Sequence, residues 1–149
     1  MERFDVDVDE AARTVRARFD SASLRVVTAV RDGAPAHGAL SDADKAKIEQ
    51  NIRGEVLMVR DYPDIRFVST SITREGKATR VAGDLTLHGK TVPVTVEARV
   101  EGDRVVVEAR LHQPDFGIKP YSAMLGTLKI KPGVLVRCSF PVASLPMQP

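Results

Sequence analysis

The sequence predicts an all-β protein with one helix, an antiparallel up-and-down barrel of about seven or eight strands. Three observations predict it. Apolar residues recur with a period of two through most of the chain, and Gly, Pro and Asp punctuate the gaps between these runs. One stretch, beginning at Ser41, switches to helical spacing. The clearest alternation lies in Thr79–His88 and Thr91–Val100, two adjacent runs hinged at His88-Gly89-Lys90, where Gly supplies a positive φ.

In chain order, Phe4, Val6 and Val8 alternate with Asp5, Asp7 and Asp9 in an opening strand with one acidic face. A calcium loop would need Gly and Glu where Glu10 and Arg16 stand, so the acids read as a solvated face. Thr14–Asp20 alternates again, and Leu24 and Val26 continue the pattern past Ser21-Ala-Ser23. Asp32 to Gly38 is a loop by composition. Ser41-Asp-Ala-Asp44 resembles a capping box, and Ile48, Ile52, Val56 and Val59 follow on one face of an amphipathic helix ending near Met58 or Arg60. Tyr62-Pro63 stops it, because the residue before a proline is pushed out of the helical region. Ile65–Ile72, the central hairpin, Arg104–His112 and Val134–Val142 complete the strands, with a long, partly apolar loop over Gln113–Lys131.

At 149 residues the chain forms one domain, 1–149, long enough to bury a core. Its charged residues, 28% of the total, leave a net charge of only +2 and are dispersed between signs. Aromatics are 5% with no Trp, so neither a basic stripe nor a base-stacking platform exists, and nucleic acid is not expected as a partner. No apolar run reaches the roughly 18 residues of a membrane span, so stable membrane insertion is not expected. The opening residues lack the apolar core of a secretory signal, which predicts a cytoplasmic location, or a periplasmic or extracellular one if the N-terminus has been trimmed. The single cysteine, Cys138, excludes an internal disulfide and reads as a buried small apolar residue.

Consecutive strands with short turns favour a meander, and closing it removes exposed edges. Inward candidates are mostly Val, Ala, Leu and Gly. Two interiors are compatible with that lining: an apolar space for a guest, or a space plugged by the helix and the loop Phe116–Leu125. Periodicity does not choose between them.

Tyr62-Pro-Asp-Ile-Arg-Phe-Val-Ser-Thr70, Gly83-Asp-Leu-Thr-Leu-His-Gly-Lys-Thr-Val-Pro-Val94 and Asp115-Phe-Gly-Ile118 follow one another in order. With these motifs the chain resembles the YceI-like family, also described as lipocalin-like or polyisoprenoid-binding. The resemblance runs from about Asp20 onward and centres on Leu-Thr-x-x-Gly-x-Thr-x-Pro at Leu85–Pro93. It implies an extended lipocalin-like barrel holding a long-chain amphiphile, such as an isoprenoid quinone, a polyprenyl derivative or a fatty-acid derivative, and no enzymatic activity. Two departures stand out. Family members usually begin with a further strand ahead of Phe4, so this chain resembles a short variant with an unpaired edge, for which a homodimer is the expected remedy. The family's Arg-Asp…His-Leu pattern is also missing around Asp44–Leu57.

On that reading the wall comprises Phe19, Leu24, Val26, Phe67, Leu85, Leu87, Val94 and Val96. Phe116, Ile118, Tyr121, Met124 and Leu125 line the mouth or lid, and Lys119, Lys129 and Lys131 meet an anionic headgroup. No cofactor is expected beyond such a lipid. An enzyme finds little support: the histidines His37, His88 and His112 lack zinc spacing, and no nucleophile elbow, phosphate loop or dinucleotide fingerprint occurs. His88 reads as a surface partner of Asp84.

Overall fold

The computed structural model describes residues 1–9, 11–119, 122–123, 128–129 and 132–142. Its main sheet is antiparallel and curved into a half-barrel. The strands are β1 (Phe4–Asp9), β2 (Thr14–Asp20), β5 (Asp64–Glu75), β6 (Ala78–Leu87), β7 (Lys90–Glu101), β8 (Arg104–His112) and β11 (Gly133–Pro141), adjacent in that order. Among the described residues no ladder joins β1 to β11, and these two strands end the sheet.

The central hairpin forms as its alternation demands. Leu87 pairs with Lys90 across a tight turn at His88-Gly89, with φ of 55° and 74°. Positive φ at both positions is the primed turn whose twist matches the strands. Within β6 the inward row is Val81, Gly83, Leu85 and Leu87, and the Phe67 ring of β5 lies over Gly83. The β5–β6 register shifts between Ser69 and Ser71, a bulge. Beside it the Ser69 hydroxyl accepts the Val15 N–H at 2.7 Å, satisfying a donor where the β2–β5 ladder ends.

The sequence reading needs correction between Asp20 and Ala39. The strand does not continue past Asp20. Ser21–Ser23 is a short 3₁₀ turn capped by Asp20, followed by irregular chain, so Leu24 and Val26 lie off the sheet. Ser21 and Ser23 are buried, and their hydroxyls make the reason plain. Ser21 donates to the carbonyls of Tyr62 and Pro63, while Ser23 donates to Asp20 O and accepts from the Arg3 N–H. The supposed loop contains a small hairpin, β3 (Ala29–Arg31) and β4 (Ala34–Ala36), turned by Asp32-Gly33 at φ of 53° and 78°.

Helix α1 (Asp42–Asn51) starts on the expected capping box, with Ser41 Oγ accepting from Asp44 N–H and Asp44 accepting from Ser41 N–H. It buries no residue fully. The packing falls to the widened π turn that continues it, Ile52–Val56, from which Ile52, Val56 and Leu57 meet the core. Met58, at φ 49°, ends the segment. The long loop is also more structured than its composition suggests. It opens with a 3₁₀ turn, Gln113–Phe116, and contains a short ribbon of β9 (Ser122–Ala123) and β10 (Leu128–Lys129).

Candidate functional site

The concave face is filled unevenly. Val56 from the π turn and Phe116 and Ile118 from the 3₁₀ turn pack onto Ile65, Phe67, Val81 and Leu85, making one buried cluster over β5 and β6. Its half-buried margin reaches Ala17 and Phe19 on one side and Val92, Val94, Val96 and Leu111 on the other. Beyond that margin the inward residues of β8 and β11 are Val105, Val107, Ala109, Val134, Val136, Cys138 and Phe140. None of them belongs to the cluster; Phe140 is buried, Val136 is 39% exposed and the others are half-buried.

Register makes these residues a continuous strip. Leu111 lies opposite Val134, Ala109 opposite Val136, and Val107 opposite Cys138. Neighbours opposed in this way present one unbroken apolar surface. The side chains are small, so the floor is shallow and smooth. Burial pushes the Cys138 thiol up from its ordinary range, which keeps it protonated and apolar at neutral pH. Clefts of about 490 and 420 Å³ lie elsewhere. One opens beside Arg53, Gly54 and Met58, the other beside Arg3, Phe4 and Asp20.

Of the wall residues expected from sequence, Phe67 and Leu85 are buried in the cluster, and Phe19, Leu87, Val94 and Val96 pack against it. Leu24 and Val26 belong instead to the chain beside the helix. The Leu24 carbonyl accepts from Arg53, and the Val26 N–H donates to Glu49. Phe116 and Ile118, expected at a mouth or lid, are 1% and 3% exposed and fill the interior over β5 and β6. Lys119 is exposed, and Lys129 lies on β10, where its backbone pairs with Ser122. Tyr121, Met124, Leu125 and Lys131 lie outside the described residues. The strip on β8 and β11 was missed as a wall. Its signal was present in the alternation of Val105–Leu111 and Val134–Phe140, which reveals a strand but not what faces it.

His88 also departs from expectation. Asp84 lies opposite Pro93 and does not meet it. The imidazole is half-buried against the Tyr62 ring, with centroids 4.8 Å apart, and Nδ1 lies 3.2 Å from the Phe116 carbonyl. His112 pairs with Asp115 at 3.2 Å on the surface, and His37 is exposed. Among the described residues no group of His, Cys, Asp and Glu could hold a metal ion, and Asp5, Asp7 and Asp9 lie along the outer face of β1. No helix is long and apolar enough to cross a membrane.

Known proteins match both chain and fold. A family model for the YceI-like domain covers residues 2–141. A UPF0312 protein of Pseudomonas putida is 41% identical over 87 residues, covering 51% of this chain and 45% of the relative. Protein YceI of Salmonella arizonae is 40% identical over 62 residues, 41% of this chain and 32% of the relative. The matches thus span about half the length of these relatives or less. A YCEI protein of Campylobacter jejuni superposes with a TM-score of 0.59 at 12% identity, covering 94% of this chain and 81% of that one, a likeness of fold alone. With nearly its whole length matched, the chain belongs to the YceI-like family, whose β-barrel fold is known for binding hydrophobic ligands.

Proposed function

We propose that this protein binds and carries, or sequesters, a long-chain amphiphilic lipid of the isoprenoid-quinone, polyprenyl or fatty-acid type. One observation supports it above the others: among the described residues the apolar strip on β8 and β11 lies outside the buried cluster, with most of it only half-buried. A folded domain that leaves contiguous aliphatic surface uncovered gains by covering it with hydrocarbon. Each methylene buried contributes about 0.8 kcal/mol, so a tail of about ten carbons supplies about 8 kcal/mol before ordering costs. The small side chains leave the tail free to lie along the strip and select for length and flexibility, not for one head group. The exposed Lys119 stands near the plugged end in sequence and suits an anionic head.

Native mass spectrometry after mild purification tests this reading. The expected spectrum contains a lipid adduct, or acquires one when prenyl or long-chain acyl probes are added. A lipid-free spectrum that stays unchanged with every probe overturns it. Ala109→Phe places a ring on the strip opposite Val136. Covering about two methylenes of contact weakens probe binding about tenfold, with the fold retained.

A second reading, a barrel that acts through its surface as a scaffold or stress-response partner, draws on the depth to which Phe116 and Ile118 plug the interior. The same spectra separate the two, since a surface-acting barrel takes up no probe.

A further inference from the structure

We propose that Lys90 selects the head group of the bound lipid, favouring amphiphiles whose polar end is an anion, a carboxylate or a phosphate, over neutral ones. The inference rests on the lipid-binding reading and narrows it. Side chains on one face of a strand recur at every second residue. On β7 the concave row includes Val92, Val94 and Val96, which pack against the buried cluster. Lys90 opens that same row, paired with Leu87 of the inward row of β6. From Lys90 to Val96 the strand runs about 20 Å. The row is thus apolar along its length and cationic at one end, a pattern that an extended anionic amphiphile matches.

A second element fixes where the ammonium lies. After the 3₁₀ turn Gly117 adopts a φ of 70°, and a Cβ there would stand 3.3 Å from Lys90 Cε and 3.4 Å from its Nζ. Glycine therefore meets the left-handed backbone and leaves room for the lysine stem. The stem crosses between Phe116 and Ile118, the two buried residues of the plug. No carboxylate answers the charge: the Lys90 ammonium has no ion pair among the described residues. Asp115, the acid of the 3₁₀ turn, is engaged by His112 at 3.2 Å. It is also the last acid of the chain, whereas Lys119, Lys129 and Lys131 follow it. Lys119, just beyond Gly117, is exposed and adds to the positive field. An unpaired ammonium at the border of apolar surface gains most from an anion that carries its own hydrocarbon. The charges then meet where water is partly displaced, and their attraction is stronger.

Displacement of a fluorescent long-chain probe from the full chain tests it, with palmitate, geranylgeranyl phosphate, hexadecanol and geranylgeraniol as competitors. The wild type is expected to bind at least one anion about tenfold more tightly than the alcohol of the same chain, and to lose that preference in high salt. A larger preference for palmitate marks a carboxylate head, and a larger one for geranylgeranyl phosphate a phosphate head; either supports the inference. Lys90→Gln cuts the preference to about twofold and leaves the alcohols bound as before, whereas Lys90→Arg retains it. Anions and alcohols binding alike to the wild type overturn the inference and leave lipid binding intact. So does a preference that survives Lys90→Gln, or one that Lys119→Gln removes equally. Failure of all four competitors removes the carrier reading and this inference with it.

Discussion

The Nδ1 atom of His88 lies 3.2 Å from the carbonyl oxygen of Phe116, tying the turn of the central hairpin to the segment that plugs the half-barrel. The carbonyl can only accept, so Nδ1 carries the hydrogen and donates. Nε2 is then the other end of a half-buried ring, with no hydrogen-bond partner among the described residues. The contact holds a residue that is 1% exposed and belongs to the buried cluster.

Replacing His88 separates this contact from the backbone conformation beneath it. Asn tolerates the positive φ of 55° but is too short to reproduce the ring's reach, so His88→Asn loses the hydrogen bond and the contact with the Tyr62 ring, about 1.5 kcal/mol. His88→Ala loses both contacts and adds backbone strain, for a total of about 2.5 kcal/mol. Urea unfolding of the two variants checks the order. Equal losses would show that backbone strain at this positive φ contributes nothing beyond the lost side-chain contacts.

Two glycines predict opposite signs for one substitution. A Cβ at Gly83 would stand 2.5 Å from Phe67 Cζ and 2.5 Å from the Val68 carbonyl oxygen. Part of that obstacle is backbone of the neighbouring strand, so Gly83→Ala destabilises by about 3 kcal/mol. A Cβ at Gly54, in the π turn, meets nothing within 4 Å and needs no unusual φ. Gly54→Ala therefore stabilises by about 0.5–1 kcal/mol through the unfolded chain. Thermal unfolding of both variants, side by side, gives the comparison.

Stability should fall in acid, and carboxylates on the outer face explain why. Hydrogen bonding to Arg18 holds Asp64 below the usual carboxylate range, as Arg3 does for Asp20 and Arg99 for Glu108. A lowered folded-state pKa means the contribution is complete above the unfolded value, about 4, and is lost as pH falls through the folded value. The melting temperature is expected to be flat from pH 7 to about pH 5 and to drop below about pH 4. These pairs are exposed or half-exposed to solvent, so each effect is small and weakens with salt. Asp64→Asn should flatten part of the acid drop; an unchanged profile would remove Asp64 from the account.

The sequence by itself determined the strands, because a side-chain period of two requires no partner to be read. Arg104–His112 and the capping box at Ser41 emerge as read, and the YceI-like motifs around Leu85–Pro93 identify the family. Segments held by distant groups escaped that reading. Ser21 and Ser23 end a strand because their hydroxyls reach Tyr62, Pro63 and Arg3, which are far away along the chain. Alternation also says that one face of a strand is apolar without saying what covers it. Only the tertiary structure decided that Phe116 and Ile118 fill the sheet over β5 and β6 and stop short of Val107, Ala109, Val134 and Val136. Which inward residues Phe116 and Ile118 reach is a property of three-dimensional packing that no local pattern encodes.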